Sequence, residues 1–215
     1  MTAREEILNR IRTALPGDPL DPAASHAAIE RPYNRAGNLD AHATLELFID
    51  RLLDYDTEII HIEAEHELPA AIAQALTRAN QQHLLAPADF PTVWLPTDPP
   101  VQLDHNLSTD EVDRAEAVLT TCEVAVASTG TIILVHGGAQ GRRMITLLPD
   151  HHICVVRRNQ VVELVPEALA AIASQSTHPI TTISGPSATS DIEMTRIRGV
   201  HGPRRLTVIL YGPLA

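Results

Sequence analysis

From Leu39 onward the chain alternates helical stripes with short aliphatic runs, and this alternation constrains its fold more than any other feature. Leu45, Phe48, Ile49, Leu52 and Leu53 recur at helical spacing, and Glu58 to Ile62 is a short extended run. Leu68 to Ala79 is helical again, and His83 to Ala86 is extended. Alternation of this kind implies parallel strands joined by right-handed crossovers. The expected class is therefore α/β, an open and mainly parallel sheet with flanking helices. A chain of 215 residues accommodates one such domain, placed at 39–215, with residues 1–38 as an N-terminal helix and linker. In that leading segment Thr2 and Glu5 stand at capping-box spacing. Ile7, Leu8, Ile11, Ala14 and Leu15 form an apolar stripe, which Pro16-Gly17 ends. The stripe needs a cover, either the chain's own sheet, the commoner case, or a partner subunit. The proline-rich residues that follow read as a linker.

Farther along, Pro87 to Asn106 reads as irregular, and Ser108 with Glu111 opens a helix expected to run to about Leu119. Cys122 to Ala127 and Thr131 to Val135 form two apolar runs around Ser128-Thr129-Gly130, the pattern of a hairpin. A glycine-rich loop, His136 to Arg143, follows. His151-His152, read as surface residues, precede a strand from Ile153 to Val156, and a helix is expected from about Val165 to Ser174. Ile180 to Ile183 is read as a buried strand, Ser184-Gly185-Pro186-Ser187 as a tight loop, and Ser190 as the start of a helix that Gly199 stops. Leu206 to Leu210 is the last strand.

Composition closes several functional classes. The net charge is -11, and no basic run exceeds an Arg pair, which argues against a nucleic-acid partner. All 16 basic residues are Arg. Without lysine the chain has no Schiff-base chemistry, no pyridoxal phosphate attachment and no Walker A loop. Its 2 cysteines, Cys122 and Cys154, are too few to ligate an iron–sulfur cluster alone and read as buried thiols. No apolar stretch approaches twenty residues and no charged-then-apolar leader is present, so neither a membrane span nor a signal peptide is expected, and the expected location is cytoplasmic.

The candidate chemistry gathers between Ile180 and Pro203. A strand, a tight loop and a helix start would leave backbone N–H groups facing a ligand. Glu193, Asp191 and His201 are the catalytic candidates. Ser184, Gly185, Pro186, Ser187 and Gly202 are candidates for substrate binding, with Thr129, Gly130 and Thr131 at the hairpin tip. Arg142 and Arg143 suit a carboxylate, because a guanidinium grips it with two parallel bonds; His136 is placed to reach the same ligand. The same acids have a structural alternative. Ser190 and Glu193 stand at capping-box spacing, and on a helix Asp191 and Glu193 would point about 200° apart.

Ala127-Ser128-Thr129-Gly130-Thr131, Leu147 to His152, Ser184 to Ser187 with Asp191-Ile192-Glu193, and Gly199 to Pro203 occur in the order found in the LUD-domain family, which the chain resembles. Ala188 stands where relatives often carry a basic residue, and Ser190 where they often have Ala. The resemblance implies a fold similar to the NagB/RpiA/CoA-transferase group. It also implies an accessory role beside other lactate-utilisation subunits in oxidising L-lactate to pyruvate, with the iron–sulfur clusters in those partners and no cofactor or metal in this chain. The implied ligand is a small carboxylate such as L-lactate or pyruvate. Two alternatives stay open: a carboxylate-based acyl-transfer enzyme similar to CoA transferases, with Glu193 as nucleophile, and a small-anion or metal-binding domain using Asp191, Glu193 and His201.

Overall fold

A computed structural model describes residues 2–15, 22–175, 177–189, 197–198 and 202–214. The chain divides into units of 1–34 and 35–215. In the first, α1 (Ala3–Ala14) is capped by Thr2, whose hydroxyl accepts from the Glu5 N–H while its own N–H donates to the Glu5 carboxylate at 2.7 Å. Its stripe is not buried: Ile7, Ile11 and Leu15 are 58, 48 and 67 % exposed. The segment read as pure linker contains a further short helix, α2 (Pro22–Ala27).

The second unit begins with α3 (Ala41–Asp54), whose N-cap Asp40 accepts from the Ala43 N–H at 2.8 Å. In order there follow β1 (Glu58–His61), α4 (Leu68–Ala79), β2 (Leu84–Pro87), β3 (Val101–Asp104), α5 (Thr109–Asp113), β4 (Ala117–Thr121), β5 (Val124–Val126), β6 (Thr131–Val135) and β7 (His151–Arg157). The remainder comprises β8 (Val161–Val162), α6 (Val165–Ala171), β9 (Ile180–Ile183), β10 (Ala188–Thr189), β11 (Ile197–Arg198) and β12 (Arg205–Tyr211). Six strands form one sheet in the order β1-β12-β7-β4-β2-β3, and every pairing in it is parallel. This is the open parallel sheet expected of the alternating pattern.

A second sheet, β8-β5-β6-β9, was not anticipated. The hairpin strands β5 and β6 pair antiparallel as read, and β9 pairs antiparallel with β6 instead of entering the main sheet. Because β9 is an edge strand, its residues alternate between exposed and half-buried, not buried as read. Strand alternation sorts the cores. Cys154 and Val156 of β7 and Leu206, Val208 and Leu210 of β12 meet Ala125, Ile132 and Leu134 of the second sheet, with Leu45, Phe48 and Leu52 of α3 in the same cluster. On the opposite face Ile153, Val155 and Ile209 pack with Ile72, Ala75 and Leu76 of α4. Ile133 and Val135 turn the outer face of the second sheet to Ala168 and Ile172.

Three further expectations are corrected. The capping box at Ser108 is present, yet α5 ends at Asp113, and Ala117–Thr121 is a central strand with Ala117, Val118 and Leu119 fully buried. A strand covered on both faces reads as a continuous apolar run, which mimics a buried helix. The irregular stretch holds β3, which adds to the sheet edge beside β2. Ile197–Arg198, read as helix, pairs antiparallel with Ala188–Thr189. Among the described residues no helix is long and apolar enough to cross a membrane.

Candidate functional site

His151 and His152, read as surface residues, are buried at the amino end of β7. Their side chains leave the sheet on opposite faces. His151 lies between Gln81, at 2.7 Å from Nδ1, and Thr207, at 2.8 Å from Nε2. His152 Nε2 is 2.7 Å from the Thr120 hydroxyl, and its Nδ1 has no hydrogen bond among the described residues. It lines a cavity of about 310 Å³ at the amino edge of β7 and β12. Ser184, Gly185, Pro186, Ser187 and Gly202 line the same space, so the structure brings these five candidates together.

The loop is held from two sides. The Ser187 N–H donates to the Pro203 carbonyl at 2.8 Å, joining it to the entry of β12. Gly185 has φ +83°, and a Cβ there would lie 2.5 Å from Tyr55 Cβ, so only glycine fits. Thr131 connects the hairpin tip to this wall: its hydroxyl is 2.7 Å from Ser184 Oγ and 2.7 Å from Thr129 Oγ1. Thr129 and Thr131 thus support Ser184 from behind. Gly130 packs against Arg51 instead, where an added Cβ would lie 2.9 Å from Arg51 Cβ.

Two guanidinium groups, Arg143 and Arg205, line the cavity, and no described carboxylate does. Arg143 donates to the Thr181 hydroxyl, which is 2.7 Å from His136 Nε2; His136 Nδ1 is 3.0 Å from the Gly141 carbonyl. Burial lowers the pKa of His136 against the pull of that carbonyl, and the Arg143 charge lowers it further. The neutral ring therefore donates from Nδ1 to Gly141 and accepts the Thr181 proton, leaving Thr181 Oγ to face Arg143. Among the described residues the lining is positively charged and carries hydroxyls, which suits a compact anion.

Arg142 is engaged elsewhere. Its Nε and Nη2 grip Asp104 at 2.6 and 2.8 Å, and a further bond goes to the Leu107 carbonyl. Burial alone would raise the Asp104 pKa, but the Arg142 bonds and the Leu107 N–H outweigh it and hold the carboxyl below its usual value. This contribution to stability is present above the ordinary Asp range and is lost as pH falls through the depressed value. Asp104→Asn is expected to lower unfolding free energy by about 2 kcal/mol at neutral pH. Urea midpoints should show the gap closing in acid.

Sequence reasoning missed His152, Arg205, Thr181 and Thr146, all of which line the cavity. The available signal was placement: a residue one step inside a buried strand faces either core or cavity. Burial, with smaller effects from the charges of His151 and His136, pushes the His152 pKa from 6.5 to about 3. The unfolded chain therefore takes up a proton that the folded chain refuses. Stability is expected to fall as pH drops from 6.5 toward about 3, with a smaller slope in His152→Gln, measured by denaturant unfolding at successive pH values.

Asp191, Glu193 and His201, together with the Ser190 cap, lie outside the described residues. Among the described residues no group of three or more His, Cys, Asp or Glu is arranged to hold a metal ion. The strand and loop of the expected junction are present, and the helix start at Ser190 lies outside the described residues. β9 leads through the loop to β10, so the cavity is walled by strand, loop and strand, at the amino edge of the sheet.

Residues 45–211 match the LUD domain family model. The chain is 46% identical over 213 residues, 98% of its length and 96% of the relative's, to Lactate utilization protein C of Deinococcus radiodurans. It is 27% identical over 231 residues to Lactate utilization protein C of an Exiguobacterium species, covering 100% of this chain and 98% of that one. A crystal structure of a DUF162 family protein from Deinococcus radiodurans superposes with a TM-score of 0.71 at 46% identity, covering 81% of this chain and 100% of the other. The chain belongs to the LUD domain family.

Proposed function

We propose that this protein is an accessory subunit of an iron–sulfur system that oxidises L-lactate to pyruvate, and that its amino-edge cavity holds a small carboxylate of that reaction. The identity of 46% across nearly the whole length of a lactate utilization protein C carries this reading. The cavity agrees in chemistry: Arg143 and Arg205 offer paired N–H donors to a carboxylate, and Ser184 and His152 offer neutral hydrogen-bonding groups to the oxygen on the adjacent carbon. Electron transfer runs through partner proteins, because 2 cysteines fall short of a cluster's ligand set.

The test has two arms. Removing the gene while its neighbours stay intact is expected to abolish growth on L-lactate but not on pyruvate; unaffected lactate oxidation would sink the subunit role. Thermal-shift titration with L-lactate and pyruvate is expected to raise the melting temperature of the wild type and not of Arg143→Gln. No shift with either ligand would remove the cavity from the proposal while leaving the genetic arm to stand.

A further inference from the structure

A second cavity, of about 340 Å³, opens at the opposite, carboxyl edge of the main sheet, where Thr121, Arg157 and Tyr211 end or follow β4, β7 and β12. Ligands of open parallel sheets bind in the crevice outside the carboxyl ends of the strands. This cavity shares no lining residue with the first. Its charges also differ: Arg157 and Glu123 are the charged groups lining it among the described residues, one of each sign.

Both are set in place by their neighbours. Arg157 Nε donates to the Tyr211 hydroxyl at 2.6 Å, and its guanidinium carbon lies 5.7 Å from the Trp94 ring centre and 5.8 Å from that of Tyr211. Its two terminal nitrogens have no hydrogen bond among the described residues. Trp94 is fixed in turn by its indole N–H, which donates to Glu65 at 2.6 Å. Glu123 takes one amide proton on each oxygen, from Gln140 at 2.9 Å and Gln175 at 2.7 Å, which leaves lone pairs on both. Gln140 belongs to the glycine-rich loop, whose far end, Arg143, lines the first cavity; its side-chain oxygen accepts from the Val135 N–H at 2.6 Å. Cys122 adds no third charge: contact with the Cys154 thiol, together with complete burial, pushes its pKa well above the ordinary thiol range.

A fixed guanidinium with free donors and a fixed carboxylate with free acceptors, in one small aromatic-walled space, complement a ligand carrying both charges. We propose that this carboxyl-edge cavity binds a free α-amino acid, its carboxylate on the terminal nitrogens of Arg157 and its ammonium on Glu123. An anion alone meets the repulsion of Glu123, and a cation alone that of Arg157, so only the zwitterion gains from both. The assignment goes beyond the lactate reading and does not rest on it.

Trp94 is the 1 tryptophan of the chain and lines the cavity, so its emission reports occupancy directly. Titration of the full-length protein with L-alanine is expected to give a saturable change in Trp94 fluorescence, with acetate and methylamine binding about tenfold more weakly or worse. Arg157→Gln, with folding checked by circular dichroism, is expected to lose the L-alanine response. Glu123→Gln should lose the preference for L-alanine over acetate. Arg143→Gln, in the other cavity, should keep the response. Absence of a saturable change with L-alanine, equal affinity for acetate, a response that survives Arg157→Gln, or one that disappears in Arg143→Gln would each overturn the proposal.

Discussion

Phe48→Ala is expected to lower the unfolding free energy by about 4 kcal/mol, because truncating a fully buried aromatic removes its transfer free energy and leaves a cavity. Phe48 belongs to the cluster in which α3 meets both sheets, so the void would open where three elements converge. Against a typical total of about 5–15 kcal/mol, that is a large fraction. A fall in melting temperature of about 10 °C should accompany it, with an unchanged denaturant slope. A loss below about 1 kcal/mol would mean that α3 does not fill the space between the sheets.

The second large effect is expected at Gly185. Alanine there adopts the left-handed region at about 1–2 kcal/mol, and its Cβ meets Tyr55, adding overpacking of about 1–3 kcal/mol. The functional consequence is sharper than the loss of stability. Relieving the contact displaces Ser184 and Ser187, so the thermal shift given by L-lactate or pyruvate should vanish. Gly138→Ala serves as the comparison: its φ is +48°, but no atom lies within 4 Å of the added carbon, so only backbone strain remains. If Gly185→Ala and Gly138→Ala proved equally mild, the close approach at Tyr55 would not be shaping the loop.

Local pattern carried a good part of the fold. α3 and α4 are amphipathic, α3 is capped by Asp40 and α4 ends at a left-handed Asn80, and Leu68–Ala79 falls where the periodicity puts it. The hairpin was legible because Gly130, at φ +58°, sits between two β-branched runs. What the pattern could not carry was partnership. Ala117–Thr121 is apolar for want of a wet face, so no periodicity marks it as strand, and the capping box before it argued for helix. Ile180–Ile183 looked like any aliphatic strand; that it pairs with β6 is a long-range fact.

The site divided in the same way. The Ser184–Ser187 loop announced itself through glycine and proline, whereas His152 and Arg205 are brought to it by the adjacency of β7 and β12, whose residues 152 and 206 are paired in register. Arg142 and Arg143 show the limit of composition. Two neighbouring guanidinium groups were equivalent as letters, yet one serves Asp104 and the other faces the cavity.

The strand order has a further consequence for synthesis. β12, the last strand in sequence, lies between β1 and β7. Until residues 205–211 have left the ribosome, β1 has no neighbour in the sheet and β7 presents a bare hydrogen-bonding edge. A nascent or prematurely terminated chain therefore exposes the template on which strands of other chains add until residues 205–211 fill the gap.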